Sequence, residues 1–432
     1  MSVRRVVMTG IGVVAPGDPG RESFWDLVSH GKTATRTISL FDPSPFRSRI
    51  GAECVFDPER AGLSHQEIRR TDRAGQFALA ATREALADAG IEPAAGDPGR
   101  VGVSVGNGVG NAISMEQEYR VVSDDGARWL VDPGYAMPHL YKYVMSSSLA
   151  TEVAWAAGAE GPSTVISTGC CAGIDSVGYG YHLVQEGSAD VVLAGAADAP
   201  IYPITVSCFD TLRASSTSND DPETACRPFD RRRNGLVLGE GSAMFVLEDY
   251  EHAVRRGARI YCEIVGYAAR ANGFHMTGLQ EDGREMGEAI VAAMAQARLN
   301  PEDLDYVNAH GSGTKQNDRH ETAAYKRSLG AHAYELPVSS IKSMVGHSLG
   351  AIGSIEIAAS ALAIDRNLVP PTANYSEPDP QCDLDYVPVT ARELPVDTVL
   401  SVGSGFGGFQ SAIVLSSLRD TARGADRRRA AA

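Results

Sequence analysis

The chain has 432 residues, 43% of them hydrophobic and 22% charged, which is ample apolar surface for a large core and excludes a mainly disordered protein. At roughly 150 residues per domain this length admits about three domains or one large α/β unit. Lys and Arg number 39 against 54 Asp and Glu, a formal net charge of −15 that excludes general binding to nucleic-acid phosphates, which needs clustered cations.

The first stretch, MSVRRVVMTGIGVVAPG, imitates a signal peptide, with Arg4 and Arg5 ahead of an apolar run. Thr9, Gly10 and Gly12 break that run, so it reads as a first strand leading into a turn. Gly10, Gly12 and Ala15 fit the dinucleotide pattern G-x-G-x-x-A, but PGDPG follows instead of a helix, which marks a turn and leaves no helix N-terminus for a pyrophosphate. No apolar stretch approaches the ~20 residues of a membrane span.

Further along, the sequence repeats its own grammar. An apolar-periodic helix over Phe77–Gly90, a polar link and a strand from Val101 end in the glycines VGNGVGN. A helix over Met286–Ala297, the link RLNPEDLD and a strand from Tyr306 end in AHGSGT. Next, STVIST feeds GCCAGIDSVGYGYHLVQEG, and PVSSIKS feeds MVGHSLGAIGSIEIAASALAI. Both are strands that turn sharply into a helix of small residues, suited to burial between sheets. The alternation predicts an α/β fold with mainly parallel sheets, built as two similar halves joined around residues 250–265. The expected boundaries are 1–255 and 256–418, with a disordered tail over 419–432 that has no apolar period.

Seven cysteines without C-x-x-C or zinc spacing predict no metal site and no disulfide framework, hence a reduced, cytoplasmic, soluble protein. Each half places an unusual residue at its strand-to-helix turn, Cys170 in the first and His347 in the second. A helix N-terminus lowers a thiol's pKa and offers N–H groups to the oxyanion of an attacked thioester. Position leaves Cys171 open as the nucleophile. Cys170 is favoured because it matches the glycine-flanked turn residue of the other half, with Cys171 packing one step into the helix. His310, in NAHGSGT, follows a second strand end, and two such turns can converge on one pocket. Lys342, on the strand end before His347, stays charged only beside a carboxylate, with Glu321 nearest by topology and Asp318 second. Gly346–Gly350 also fits the hydrolase pattern G-x-S-x-G around Ser348, but no histidine follows His347, so that order fails.

Five segments in order, VISTGCCAGIDSVGYG, CRPFDRRRNGLVLGEGSAMFVLE, VNAHGSGTKQNDRHETAAYKRSLG, SSIKSMVGHSLGAIGSIEIAAS and VGSGFGGFQSA, resemble the β-ketoacyl synthases. More narrowly they resemble the ketosynthase alpha subunit of bacterial type II aromatic polyketide synthases, from about Arg4 to about Leu415. The resemblance implies a thiolase-like α/β fold, two duplicated mixed-sheet halves in a layered αβαβα arrangement. It implies a Cys-His-His triad at Cys170, His310 and His347, with Lys342 as the family's lysine and Glu321 as its partner. Phe406 matches the gating phenylalanine, whose N–H forms an oxyanion hole with that of Cys170, and Ser312 and Thr314 match the hydroxyls that touch the pantetheine arm. Two departures stand out: TGC-C-A-G where the family usually reads TGC-T-S-G, and Asn234 where aspartate is common.

The implied activity is decarboxylative Claisen condensation of malonyl-carrier protein onto a chain held by Cys170. It needs no metal or redox cofactor, its substrates riding on the phosphopantetheine of acyl carrier protein. An acidic carrier requires a local basic patch, expected at Arg69, Arg70 and Arg73 in EIRRTDRAGQ. The implied partner is the chain length factor, as a heterodimer; nucleic acid and membrane are not expected partners. A non-condensing chain-length subunit is opposed by Cys170 with both histidines, and a fatty-acid-type 3-oxoacyl synthase by HGSGTKQNDRHETAA. A thiolase using coenzyme A would carry a further cysteine where GSGFGG has Phe406.

Overall fold

The computed structural model describes residues 3–93, 96–129 and 133–418; the tail 419–432 lies outside the described residues. Its framework is ten strands: β1 (Val6–Val14), β2 (Val101–Gly106), β3 (Ser163–Ile166), β4 (Val191–Asp198), β5 (Gly241–Asp249), β6 (Cys262–Ala271), β7 (Tyr306–Asn308), β8 (Val338–Ser339), β9 (Thr398–Gly405) and β10 (Phe409–Ser416). They lie side by side in the order β8-β7-β9-β10-β6-β1-β5-β4-β2-β3. Each half therefore runs third, second, fourth, fifth, first. Within a half the second, third and fourth strands are parallel, while the fifth runs antiparallel between the fourth and the first. Across the seam only Val6–Met8 pair with Cys262–Ile264.

Six helices fill matching places in the repeat: α1 (Arg73–Ala89), α2 (Ser148–Ala157) and α3 (Ala172–Gln185) in the first half, α4 (Arg284–Ala297), α5 (Lys315–Leu329) and α6 (Ile352–Arg366) in the second. Local chemistry sets their ends. Asp72 caps α1 by accepting the Ala74 N–H, and Gly90 stops it with a positive φ of 64°. Helices α3 and α6 pack on each other and on strands of both halves, α3 reaching β10 and α6 reaching β5. In α6 every residue from Ile352 to Ile364 is buried, as a helix between two sheets must be. Helices α1 and α2 cover the outer face of the first half, and α4 and α5 that of the second, which completes five layers, αβαβα. Among the described residues no helix is long and apolar enough to cross a membrane.

Gly10 and Gly12 do not form the expected turn, because both lie within β1. A Cβ at Gly12 would stand 1.9 Å from the Ala81 carbonyl oxygen and one at Gly10 2.2 Å from that of Ala85, so the pair lets α1 lie directly on the strand. Gly12→Ala must push α1 outward, and the expected loss is about 1–3 kcal/mol. A lower urea midpoint at unchanged m-value would show it, whereas an unchanged midpoint would refute the close approach.

Candidate active site

Strand β3 ends at Ile166, and a 3-10 turn over Gly169–Cys171 leads into α3. Gly169 takes a positive φ of 56°, and a Cβ there would stand 3.0 Å from the Phe406 carbonyl oxygen. The turn thus brings Cys170 against the β9–β10 hairpin, where the N–H groups of Phe406 and of Cys170 itself bear on the sulfur. The expected lowering of the thiol pKa does not occur. Burial pushes Cys170 up to about 11, outweighing the Lys342 charge and the two N–H groups. Desolvation of the thiolate outweighs the helix terminus and the lysine charge, so the resting group is the thiol. Cys171 is fully buried, its Sγ donating to the Phe409 carbonyl at 3.4 Å, and burial raises its pKa well above the ordinary value. Cys170 lines the central cavity, whereas Cys171 does not.

His310 follows β7, and His347 follows β8 and the single-turn helix Lys342–Val345; the two rings stand 5.2 Å apart at 77°. Lys342 therefore opens a helix and is not the end of a strand. Its Nζ faces His310 Nδ1 at 3.4 Å. An ammonium only donates, so Nδ1 accepts and the ring proton sits on Nε2. His347 adopts the same tautomer, because its Nδ1 accepts the Leu349 N–H at 3.1 Å. Burial first, and the Lys342 charge second, hold both imidazoles well below 6.5. The result is a pair of neutral rings, each with an Nε2–H to donate.

The expected pairing of Lys342 with Glu321 is corrected by the structure: Lys342 Nζ donates to the Glu356 carboxylate on α6 and to the His310 carbonyl. Glu321 clamps the histidine turn instead, accepting the N–H groups of His310 (2.6 Å) and Gly311 (2.7 Å), the Tyr325 hydroxyl (2.6 Å) and Asn317 Nδ2 (3.1 Å). Burial pushes Glu321 up to about 7 and Glu356 up to about 8, while the lysine draws both down. Asp318, the second candidate, is engaged by the buried Arg233 at 3.1 Å and by the Phe229 N–H at 2.8 Å. Sequence reasoning missed Glu356, although it is the sole acidic residue between Gly346 and Ile364 and a buried carboxylate there demands a cation.

A cavity of ≈ 520 Å³ brings together Cys170, His310, His347, Ser312, Thr314 and Phe406. The Ser312 and Thr314 hydroxyls are 3.0 Å apart, and Thr314 caps α5 through the Asn317 N–H. Phe406 is 37% exposed in the turn between β9 and β10, its ring stacked on Phe209 at 6.0 Å. Asn234 also lines the cavity, accepting from Ser216 Oγ (2.7 Å) and donating to Ser218 Oγ (3.1 Å), a donation an aspartate could not make. The expected basic patch does not hold together. Arg70 is spent on Glu152 at 2.8 Å and Arg73 on the fully buried Glu240, leaving only Arg69 of the three exposed. At the cavity's rim Arg213 and Lys315 are exposed, and neither has an ion-pair partner among the described residues.

Comparison with known proteins agrees with this geometry. The families described as Beta-ketoacyl synthase, N-terminal domain, and Beta-ketoacyl synthase, C-terminal domain, match residues 3–253 and 261–376. The chain is 62% identical to the tetracenomycin polyketide synthase ketoacyl synthase alpha subunit of Streptomyces glaucescens, over 97% of this chain and 98% of that one. One similar solved structure is a type II polyketide synthase acyl-carrier protein in complex with its ketosynthase bound to the hexaketide, 38% identical, with a TM-score of 0.90 over 96% of this chain and 100% of that one. Another is the ishigamide ketosynthase/chain length factor, 33% identical, with a TM-score of 0.88 over 96% and 100% of the two chains. The layered, duplicated architecture is the thiolase-like fold of these ketosynthases. The chain belongs to the β-ketoacyl synthase family.

Proposed function

We propose that this protein is the condensing ketosynthase of a type II polyketide synthase, joining malonyl units to an acyl chain held on Cys170. The observation that carries the reading is the shared cavity: one buried thiol beside two neutral imidazoles, each with its Nδ1 occupied and its Nε2–H left to donate. In the first half-reaction the small thiolate fraction of Cys170, its proton given up to solvent, attacks the thioester of an acyl-carrier protein, and the departing pantetheine thiolate takes a proton from solvent. In the second, the malonyl thioester loses carbon dioxide and the electron pair of the broken C–C bond becomes an enolate. His310 and His347 donate to the enolate oxygen, and its carbon attacks the Cys170 thioester. The tetrahedral oxyanion meets the N–H groups of Cys170 and Phe406. Its collapse expels the Cys170 thiolate, which regains a proton from solvent.

Ser312 and Thr314 would hold the pantetheine arm and Phe406 would gate the chain, and the position of all three on the cavity supports these roles. No metal or redox cofactor enters any step; the substrates arrive on the carrier's phosphopantetheine. The exposed Arg213 and Lys315 at the cavity's rim support docking of an acidic carrier there. A chain length factor partner is supported by the exposed apolar side chains Met115, Tyr119, Trp129, Tyr141, Val144 and Trp155. Seven free cysteines fit a reducing cytoplasm.

His310→Ala and His347→Ala test the reading. Each is expected to slow carbon dioxide release from malonyl-carrier protein on the order of 10²–10³-fold. Acylation of Cys170, read by intact mass, is expected to stay within a few-fold. Equal loss of both steps would refute the division of labour, and absence of a β-ketoacyl product from the unsubstituted, partnered enzyme would refute the reading itself.

A further inference from the structure

Asp198, the last residue of β4, is fully buried and is used by no step above. Its Oδ2 accepts the N–H groups of Gly108 (2.8 Å) and Gly350 (2.7 Å), and its Oδ1 accepts that of Val109 (3.2 Å). These donors come from two turns, one after β2 in the first half and one after His347 in the second. The turns touch backbone to backbone: a Cβ at Gly350 would stand 2.4 Å from the Gly108 nitrogen, and a Cβ at either glycine 2.7 Å from Asp198 Oδ2. Between His347 and Gly350 lies Leu349 with φ +47°, a left-handed conformation that a branched side chain rarely adopts. The Leu349 N–H donates to His347 Nδ1, and the positive φ that follows it turns the next N–H, that of Gly350, onto Asp198. The Leu349 side chain and Val109 pack in the same apolar cluster as Cys170.

Resting on the ketosynthase reading, we propose that Asp198 is a positioning residue that holds the strained Leu349 turn in place. It thereby fixes the Nε2–H tautomer of His347 and ties it to the Val109–Leu349 wall beside the Cys170-bound chain. Without the carboxylate, Gly350 and Gly108 lose their common acceptor, Leu349 relaxes toward negative φ, and His347 Nδ1 loses its donor. An asparagine separates the two sides. Its amide oxygen in the Oδ2 place still accepts from Gly350 and Gly108, whereas its amide nitrogen would confront the Val109 N–H, donor against donor.

The test uses the full chain with its partner, labelled with ¹⁵N-histidine, as the unsubstituted protein, D198A and D198N, with thermal melts confirming that each folds. In D198A the His347 imidazole shifts are expected to show a mixture of tautomers, and kcat for carbon dioxide release from malonyl-carrier protein to fall 10–100-fold with little change in KM. D198N is expected to restore the Nε2–H tautomer and most of the decarboxylation, while remaining slow in accepting long acyl chains onto Cys170. A folded D198A with an unchanged His347 spectrum and a kcat within threefold would overturn the proposal, as would D198N failing at decarboxylation as badly as D198A. Should the unsubstituted enzyme release no carbon dioxide while the His347 spectrum still responds to D198A, the ketosynthase reading falls and the positioning role stands.

Discussion

Cys170→Ala is expected to form no acyl-enzyme and to drop condensation on the order of 10⁴-fold or more, whereas Cys171→Ala keeps both within about threefold. The difference follows from where the two sulfurs point. Cys170 opens on the cavity with the Phe406 N–H beside it, while Cys171 is turned into the second half onto the Phe409 carbonyl. The pH profile of loading carries the same signature. With the Cys170 thiol at about 11, the thiolate is a small fraction at neutral pH. Loading should therefore rise nearly tenfold per pH unit through neutral and mildly alkaline pH, until another group limits it. Stopped-flow acylation at several pH values reads this directly. A plateau below pH 8 would mean that the thiol ionises far more easily than its burial dictates.

Lys342→Ala is expected to cost about 3–5 kcal/mol of folding stability at alkaline pH, where Glu356 must ionise without a partner. It strands the Glu356 carboxylate, which is fully buried and whose Oε2 already has no hydrogen-bond partner. Removing both charges together, as Lys342→Met with Glu356→Leu, should recover most of that loss, because two apolar side chains of similar size bury without desolvating an ion. The sign of the pH dependence follows from Glu356, whose folded pKa stands above its unfolded one. Such a group contributes stability below the unfolded pKa, and that contribution is lost as pH rises through the folded pKa. The Lys342→Ala deficit should thus open as pH rises through about 8 and be larger at pH 9 than at pH 7, as denaturant titration would show. Decarboxylation should remain impaired even in the stable double variant, because His310 Nδ1 has lost its donor.

The repeat was legible because its signals are local. Helical periodicity, small-residue helices and glycine-flanked turns around Cys170, His310 and His347 depend on neighbours a few residues away, and they place the triad on matching turns of two halves. What escaped depends on distant partners. Arg73 finds Glu240 across 167 positions and Arg70 finds Glu152 across 82, and those pairings disperse a basic cluster that looks intact in the chain. Gly10 and Gly12 resemble turn glycines until α1 is seen lying on them. The Lys342–Glu356 pair joins the single-turn helix after β8 to α6, where topology alone pointed to Glu321. The direction of the Cys170 pKa could not be read either, since burial competes with the helix terminus and only the packed site decides between them.

The central claim is that Cys170 carries the growing chain. Intact-mass analysis followed by peptide mapping tests it most directly, on the partnered protein after incubation with acyl-carrier protein, with Cys170→Ala and Cys171→Ala alongside. One acyl adduct, located on Cys170 and lost only in Cys170→Ala, is the expected result. A folded, partnered protein with no adduct on either cysteine, or with the adduct on Cys171, would contradict it.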